Sequence, residues 1–533
     1  MRIAALPVVL VASFVTVLAA CTGDDPTIVD GPGTSPDGGT SPGVTCTGTA
    51  ACENGSPCVD GFCCDGACTG TCEACNVAGK EGKCSPVKGA PKHGTCDGEQ
   101  AGPCAGSCDG AKGATCTYPE AACGTLACAG GRATLAGACK AGSCQKGEEQ
   151  TCALGCLADT CLGVKQMAAG YYHACAVLTD QKVRCWGSND AGQTGVDPGT
   201  AVVPTPTEVS GISSAVQVAA TFGSTCILLA DKTVRCMGNN ASGQLGLGTT
   251  DSLKHATPTT VPGLTDVTFI GGSSGGHYCA ITTSGAIKCW GGNGTGQLGD
   301  GTSGGTKPPV TVCQPGVVPC TASSGATFVA GGDDHTCAAF AGGRVACWGG
   351  NAAGQLGQPA GAMNPVPTFL NPALTATFIT AGNRATCAAS AGGAKCWGSN
   401  GLGVLGNGTT IANSPVPVSV CTKADCSTLL SNVTGVATYD ESACGISGGA
   451  VKCWGTNSGG QLGDGNASAS QTYAATSAIA TGAVYVTSGG GANYAIVVDR
   501  ANRDIRCWGS EGSSQCGTGT PAAPRLTPVA PKW

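Results

Sequence analysis

Charge is scarce in this sequence. Only 11% of its 533 residues are Asp, Glu, Lys or Arg, against about 25% in an ordinary soluble protein. No cluster of Lys and Arg occurs anywhere, which excludes the phosphate-gripping surface that a nucleic-acid partner requires. No acidic tail is present, and no pair of carboxylates recurs from one part of the chain to another. Aromatic residues make up 4% and histidines number five, so acid–base or metal chemistry has few side chains to draw on. Long apolar runs are missing too, apart from one at the N-terminus. These shortages favour a protein that binds over one that catalyses, and no cofactor or metal is expected.

Two residue types are abundant instead: 39 cysteines and 89 glycines. That many thiols would be a liability in a reducing compartment, so the chain is expected to be exported. The N-terminus agrees. Met1-Arg2 is followed by an apolar run from Ile3 to Ala20 that ends Leu18-Ala19-Ala20-Cys21. This resembles a bacterial lipoprotein signal, cleaved before a cysteine that then carries a lipid. An ordinary secretory signal is the competing reading, and a transmembrane anchor would need a longer stretch. Parity supports lipidation: 20 cysteines lie from Cys46 to Cys161 and 18 from Cys175 to Cys516, leaving Cys21 as the odd one. The expected organisation is a signal peptide (1–20), a lipidated Cys21 with a Gly/Pro/Ser/Thr tether (21–45), a cysteine-rich disulfide region (46–162) and a repeat domain (163–533). The cysteine-rich region has few branched aliphatic or aromatic residues, so disulfides must staple it. Cys72 and Cys75 have the spacing of half a zinc site, but irregular partners and export favour oxidation.

In the repeat domain the triplet Cys-Trp-Gly recurs at Trp186, Trp290, Trp348, Trp397, Trp454 and Trp508, with Met237 in place of Trp in the second copy. Intervals of 49 to 58 residues make seven units. Each unit runs through a strand-like segment, a Gly-rich turn, an alternating strand, a hairpin tip, the Cys-Trp-Gly strand and a Gly-rich loop. The pattern predicts an all-β blade. Turns of the form G-x-x-H, then W-G-x-N, then G-Q-L-G, as in Gly243-Gln244-Leu245-Gly246, Gly354-Gln355-Leu356-Gly357 and Gly460-Gln461-Leu462-Gly463, resemble the regulator of chromosome condensation repeat family. That resemblance implies a seven-bladed β-propeller of four-stranded antiparallel blades. Some units depart from it: Ser224 stands for His in the second, Val404 for Gln in the fifth, and Asn493 and Ala495 for His and Cys in the seventh.

Cysteine spacing assigns one hairpin disulfide to each of six blades: Cys175–Cys185, Cys226–Cys236, Cys279–Cys289, Cys337–Cys347, Cys387–Cys396 and Cys444–Cys453. Cys507 should turn to Cys516, and two insertions should close on themselves as Cys313–Cys320 and Cys421–Cys426. His173, His277 and His335 share one register, which points to a repeated turn hydrogen bond rather than a metal site. The Gly401–Gly406 and Gly272–Gly276 stretches mimic dinucleotide and hydrolase motifs but sit in propeller loops. Asp300 and Asp464 follow G-Q-L-G as loop residues, and calcium is the ion such loop acids would take.

Family members include an exchange factor for a nuclear GTPase and a secreted bacterial inhibitor of β-lactamases, and neither partner transfers on fold alone. The function expected is a non-enzymatic, surface-displayed binding propeller for a protein or glycan partner. A hydrolase or lyase at the propeller mouth is the alternative. Localisation is expected at the cell envelope, with membrane contact only through the lipid. The candidate binding residues are Tyr171, Tyr172, Phe222, Tyr278, Tyr439 and Tyr494, on the face of the G-x-x-H and W-G-x-N turns; the competing reading packs these rings between blades. The first repeat lacks the Pro-x-x-Val run that precedes the others, and such a run lies at Arg525–Val529. Ring closure is therefore expected by strand exchange between the chain ends.

Overall fold

The computed structural model describes residues 45–533 apart from 48–51, 53–54, 97–101, 112–114, 131, 153, 155, 198, 318, 412, 468–469, 480, 491–493 and 500–504. The signal, Cys21 and the tether lie outside the described residues. Among the described residues there is no helix, and so none long and apolar enough to cross a membrane.

The chain divides into two compact units: Met1–Cys123 with Gly137–Gln145, and Gly124–Ala136 with Lys146–Trp533. In the first, strands are two to four residues long. Its buried side chains are cysteines together with Ala74, Val87 and Ser85. Cys72 bonds Cys108 and Cys75 bonds Cys64, so both members of the candidate zinc pair are spent in disulfides. Cys104–Cys139 and Cys123–Cys144 tie the segment 137–145 to the rest of the unit.

The second unit contains seven four-stranded antiparallel sheets. Blade 1 consists of Val164–Ala169, His173–Leu178, Val183–Ser188 and Val202–Glu208, and the other six repeat that order. Strands alternate in and out, so a blade buries both faces only by packing against neighbours on either side. The apolar clusters accordingly lie between blades. Val177, Val183 and Val209 of blade 1, for example, pack with Val218, Ile227 and Met237 of blade 2. First strands face the axis. Each runs from the face of the hairpin tips to the face of the G-x-x-H turns, which it shares with the loops after the tryptophans.

Within blades 1 to 6 the paired cysteines face each other in register and are bonded, with Cα atoms 4.0–4.1 Å apart. Cys313–Cys320, Cys421–Cys426 and Cys507–Cys516 are also bonded. Two sequence assignments need correction. In blade 7, Tyr494 pairs with Gly509 and Ile496 with Cys507, so Tyr494 stands in the His register and Ile496 in the Cys register, one residue later than the sequence pattern suggested. Nor does strand exchange occur. Every blade takes four consecutive strands, and the Pro-x-x-Val run is the outer strand of the blade before it rather than the start of the next. The ring closes by side-to-side packing: Val164, Met167 and Trp186 of blade 1 cluster with Ile505 and Cys507 of blade 7, with Trp533 packed against them.

Candidate binding face

The repeat motifs are parts of the joints between blades. Each of the six motif tryptophans is fully buried and donates its indole N–H, at 2.7–2.9 Å, to the second-residue carbonyl of the G-Q-L-G loop in the preceding blade. Trp186 completes the circle by donating to Gln515 of blade 7. At five of the six tryptophan joints the last glycine of the loop makes room for the ring; in blade 4 Gly357 abuts Leu370 instead. A Cβ at Gly299 would lie 2.5 Å from Trp348 Nε1 and one at Gly463 2.8 Å from Trp508, and both have positive φ. The W-G-x-N asparagines hold the same loops, as when Asn293 Oδ1 accepts the Leu298 N–H and Asn457 Oδ1 that of Leu462. In blade 7 a buried Glu511 does this work, accepting from Cys516 N at 2.7 Å, and burial pushes its pKa up. Asp300 is held by Lys307 and Thr302, and Asp464 by Asn457 and Asn466.

The three histidines act across blades, not within turns as the sequence suggested. Nε2 of His173, His277 and His335 lies 2.8–2.9 Å from the hydroxyl of Thr225, Thr336 and Thr386 in the next blade. Each threonine hydroxyl donates onward to a loop carbonyl, Gln193, Gln297 or Gln355. It must therefore accept from histidine, which fixes the Nε2–H tautomer. Burial drives the pKa of His173 and His277 down to about 3.

Tyr278 is corrected by the same logic. It stands in the threonine register of blade 3, fully buried, stacked on Trp290, with its hydroxyl 3.1 Å from Ser224 Oγ. Ser224 stands in the histidine register of blade 2. At this joint the long and short partners are exchanged, which explains both departures from the motif and removes Tyr278 from the face.

Four other candidate rings converge at the end of the axis on the turn face. Tyr171 is central: its ring lies 4.5 Å from Tyr172, 4.6 Å from Phe222 and 6.1 Å from Tyr439. Tyr172 is 36% and Phe222 49% exposed, whereas Tyr439 is 6% exposed. Tyr439 leaves blade 6 and crosses the axis to donate its hydroxyl to the Ser274 carbonyl of blade 3 at 3.1 Å. It closes the channel rather than facing a partner, and the absence of a side chain at Gly490 lets its ring pass. The side chain of Tyr494 lies outside the described residues. Sequence reading missed Asp333 and Asp440 as neighbours of these rings. Partial removal from water, then the carboxylates of Asp440 and Asp334, push the Asp333 pKa up. Burial, then the carboxylates of Asp333 and Asp440, hold the Tyr439 hydroxyl protonated. Asp440 also accepts from Asn383 at 3.0 Å. No signal in the sequence links Asp333 to Asp440, 107 residues apart.

The regulator of chromosome condensation (RCC1) repeat models match residues 164–193, 215–244, 326–355 and 233–282. The human protein named probable E3 ubiquitin-protein ligase HERC6 is 29% identical over 214 residues, 40% of this chain and 20% of that protein. The chain thus spans about a fifth of the length of the curated relatives it matches. Among solved structures, Prp20p of Saccharomyces cerevisiae, described with binding properties to Gsp1p and histones, has a TM-score of 0.51 at 21% identity, covering 61% of this chain and 80% of that one. Yeast RCC1 (Prp20) bound to Kap60 gives 0.50 at 21%, covering 61% and 78%.

Proposed function

We propose, from the premise that this chain carries regulator of chromosome condensation repeats folded as a seven-bladed propeller, that it is a non-enzymatic binding protein whose turn face captures a protein partner. The observation that carries this reading is the convergence of Tyr171, Tyr172 and Phe222 at the channel mouth beside Asp333 and Asp440. Exposed aromatic rings give large contact area at low entropy cost. Carboxylates next to them favour Lys and Arg of a protein over a neutral glycan. Protein binding by the structurally similar Prp20p supports the same class, whereas the ligase activity named for the HERC relative belongs to a protein matched over a fifth of its length. The proposal extends to location: a chain lipidated at Cys21, tethered through residues 22–45 and displayed at the cell envelope. Nineteen disulfides among the described residues support an oxidising compartment.

A photo-crosslinking amino acid placed at Phe222 should trap a defined cell-envelope protein, and one placed at Ser284 on the opposite face should not. Combined Tyr172→Ala and Phe222→Ala changes should abolish capture while leaving the melting temperature unchanged. Capture that survives the double change, or that is equal from both faces, would refute the reading. A Cys21→Ser chain should move to the soluble fraction; if it stays membrane-bound, lipidation is wrong.

A further inference from the structure

A cavity of about 470 Å³ lies on the propeller axis, walled by the first strands of all seven blades. Small-molecule sites span roughly 300–1,000 Å³. Among the described residues, no Asp, Glu, Lys, Arg or His lines it. An ionic ligand would lose its hydration there without gaining a partner charge, so phosphates, carboxylates and metal ions do not fit.

One register of the first strands shapes the end towards the hairpin tips. In blades 1 and 2 these are Gln166 and Gln217, whose amides clamp the axis-facing peptide groups of the next blade. Gln166 accepts from Val218 N at 2.8 Å and donates to Val218 O at 3.0 Å, and Gln217 does the same to Ile270 at 2.9 Å. In blades 3 to 5 the register holds Phe269, Phe328 and Phe378, with ring centroids 4.7 and 4.5 Å apart, a continuous aromatic wall. Val329, Ile379 and Val436, in the register of Val218 and Ile270, line the cavity with no glutamine in the preceding blade to clamp their peptide groups. At the turn face Tyr439 forms the floor. Beside it Ser274 Oγ, in a residue 3% exposed, has no hydrogen-bond partner among the described residues, and neither has Ser488 Oγ, which lines the cavity from blade 7.

We infer that this blind axial cavity binds a neutral, hydroxyl-bearing ring compound of mono- to disaccharide size, entering past Gly435 from the hairpin-tip face. The phenylalanine rings receive the C–H face of the sugar, and Ser274, Ser488 and the uncovered peptide groups receive its hydroxyls. Gly435 is the gap in the aromatic register. A Cβ there meets nothing closer than Ile446 Cδ1 at 3.9 Å, and its backbone conformation suits any residue. The site is separate from the turn face, and it stands or falls independently of the protein-binding reading.

The test is saturation-transfer NMR on the full chain with a panel of neutral mono- and disaccharides: glucose, N-acetylglucosamine, cellobiose and N,N′-diacetylchitobiose. At least one should receive saturation. Gly435→Phe, which fills the entry, should weaken its binding by about tenfold or more without moving the melting temperature, and Ser274→Ala by about tenfold through the lost hydroxyl partner. If Gly435→Phe fails to fold, Ser274→Ala carries the test alone. The inference is overturned if no sugar of the panel receives saturation, or if binding survives these variants. Partner capture at Phe222 is read separately and should be unaffected in both.

Discussion

The two compact units use the same covalent bond for opposite purposes. In the cysteine-rich unit, the described buried side chains are almost all half-cystines, and the bonds join residues as far as 36 apart. In the propeller the blade disulfides span 9 or 10 residues, each on one hairpin, inside clusters of Val, Ile, Leu and Trp. Closing a loop of 36 residues restrains the unfolded chain by about 3.8 kcal/mol, and a loop of 10 by about 2.7 kcal/mol. The per-bond difference is modest. What separates the units is what remains without the bond: an interblade core in one, and little apolar burial in the other.

The largest expected effect breaks that comparison directly. Reduction with a phosphine followed by limited proteolysis should destroy the 46–123 region completely and leave a propeller fragment intact. Equal survival of both would mean the small unit has a source of stability other than its disulfides. Next comes the joint chemistry. Trp348→Ala removes a fully buried ring and the hydrogen bond to Gln297, and should cost about 3–5 kcal/mol in urea unfolding. No single aliphatic-to-alanine change in the small unit should approach that. The smallest effect is acid sensitivity, which belongs to the propeller. His173 and His277 titrate at about 3 when folded and near 6.5 when unfolded, so between those values the unfolded chain binds more protons. Their contribution is full above pH 6.5 and is lost as pH falls towards 3, by about 1 kcal/mol each at pH 5.5. Urea unfolding at pH 7 and 5.5 should show this loss halved in a His277→Gln chain. In the small unit His93 instead faces the Asp60 carboxylate at 2.9 Å.

Much of the propeller is legible because its motifs are local. A hairpin puts Cys279 opposite Cys289 whatever surrounds it, and the period of Cys-Trp-Gly counts the blades. The phase of a repeat is not legible in the same way. Pro204 to Val209 precedes the second unit in sequence but forms the outer edge of the first blade, so the missing run at the start looked like a strand to be exchanged. Tyr278 looked like a surface anchor because its partner, Ser224, is 54 residues away in another blade. The candidate site was partly visible: Tyr171, Tyr172 and Phe222 do meet at the mouth, but as neighbours of two acids that no pattern connects to them.

The sequence by itself determined the strands, the hairpin disulfides, the number of blades and the motif positions, because each depends on residues within one unit and on backbone pairing. The tertiary structure decided which carbonyl each tryptophan meets, how Trp186 closes the ring onto Gln515, that Tyr439 spans the axis to Ser274, and that the seven first strands enclose a cavity without charge. Those features join residues about 40 to over 300 positions apart. Only closure of seven twisted sheets around one axis brings them together.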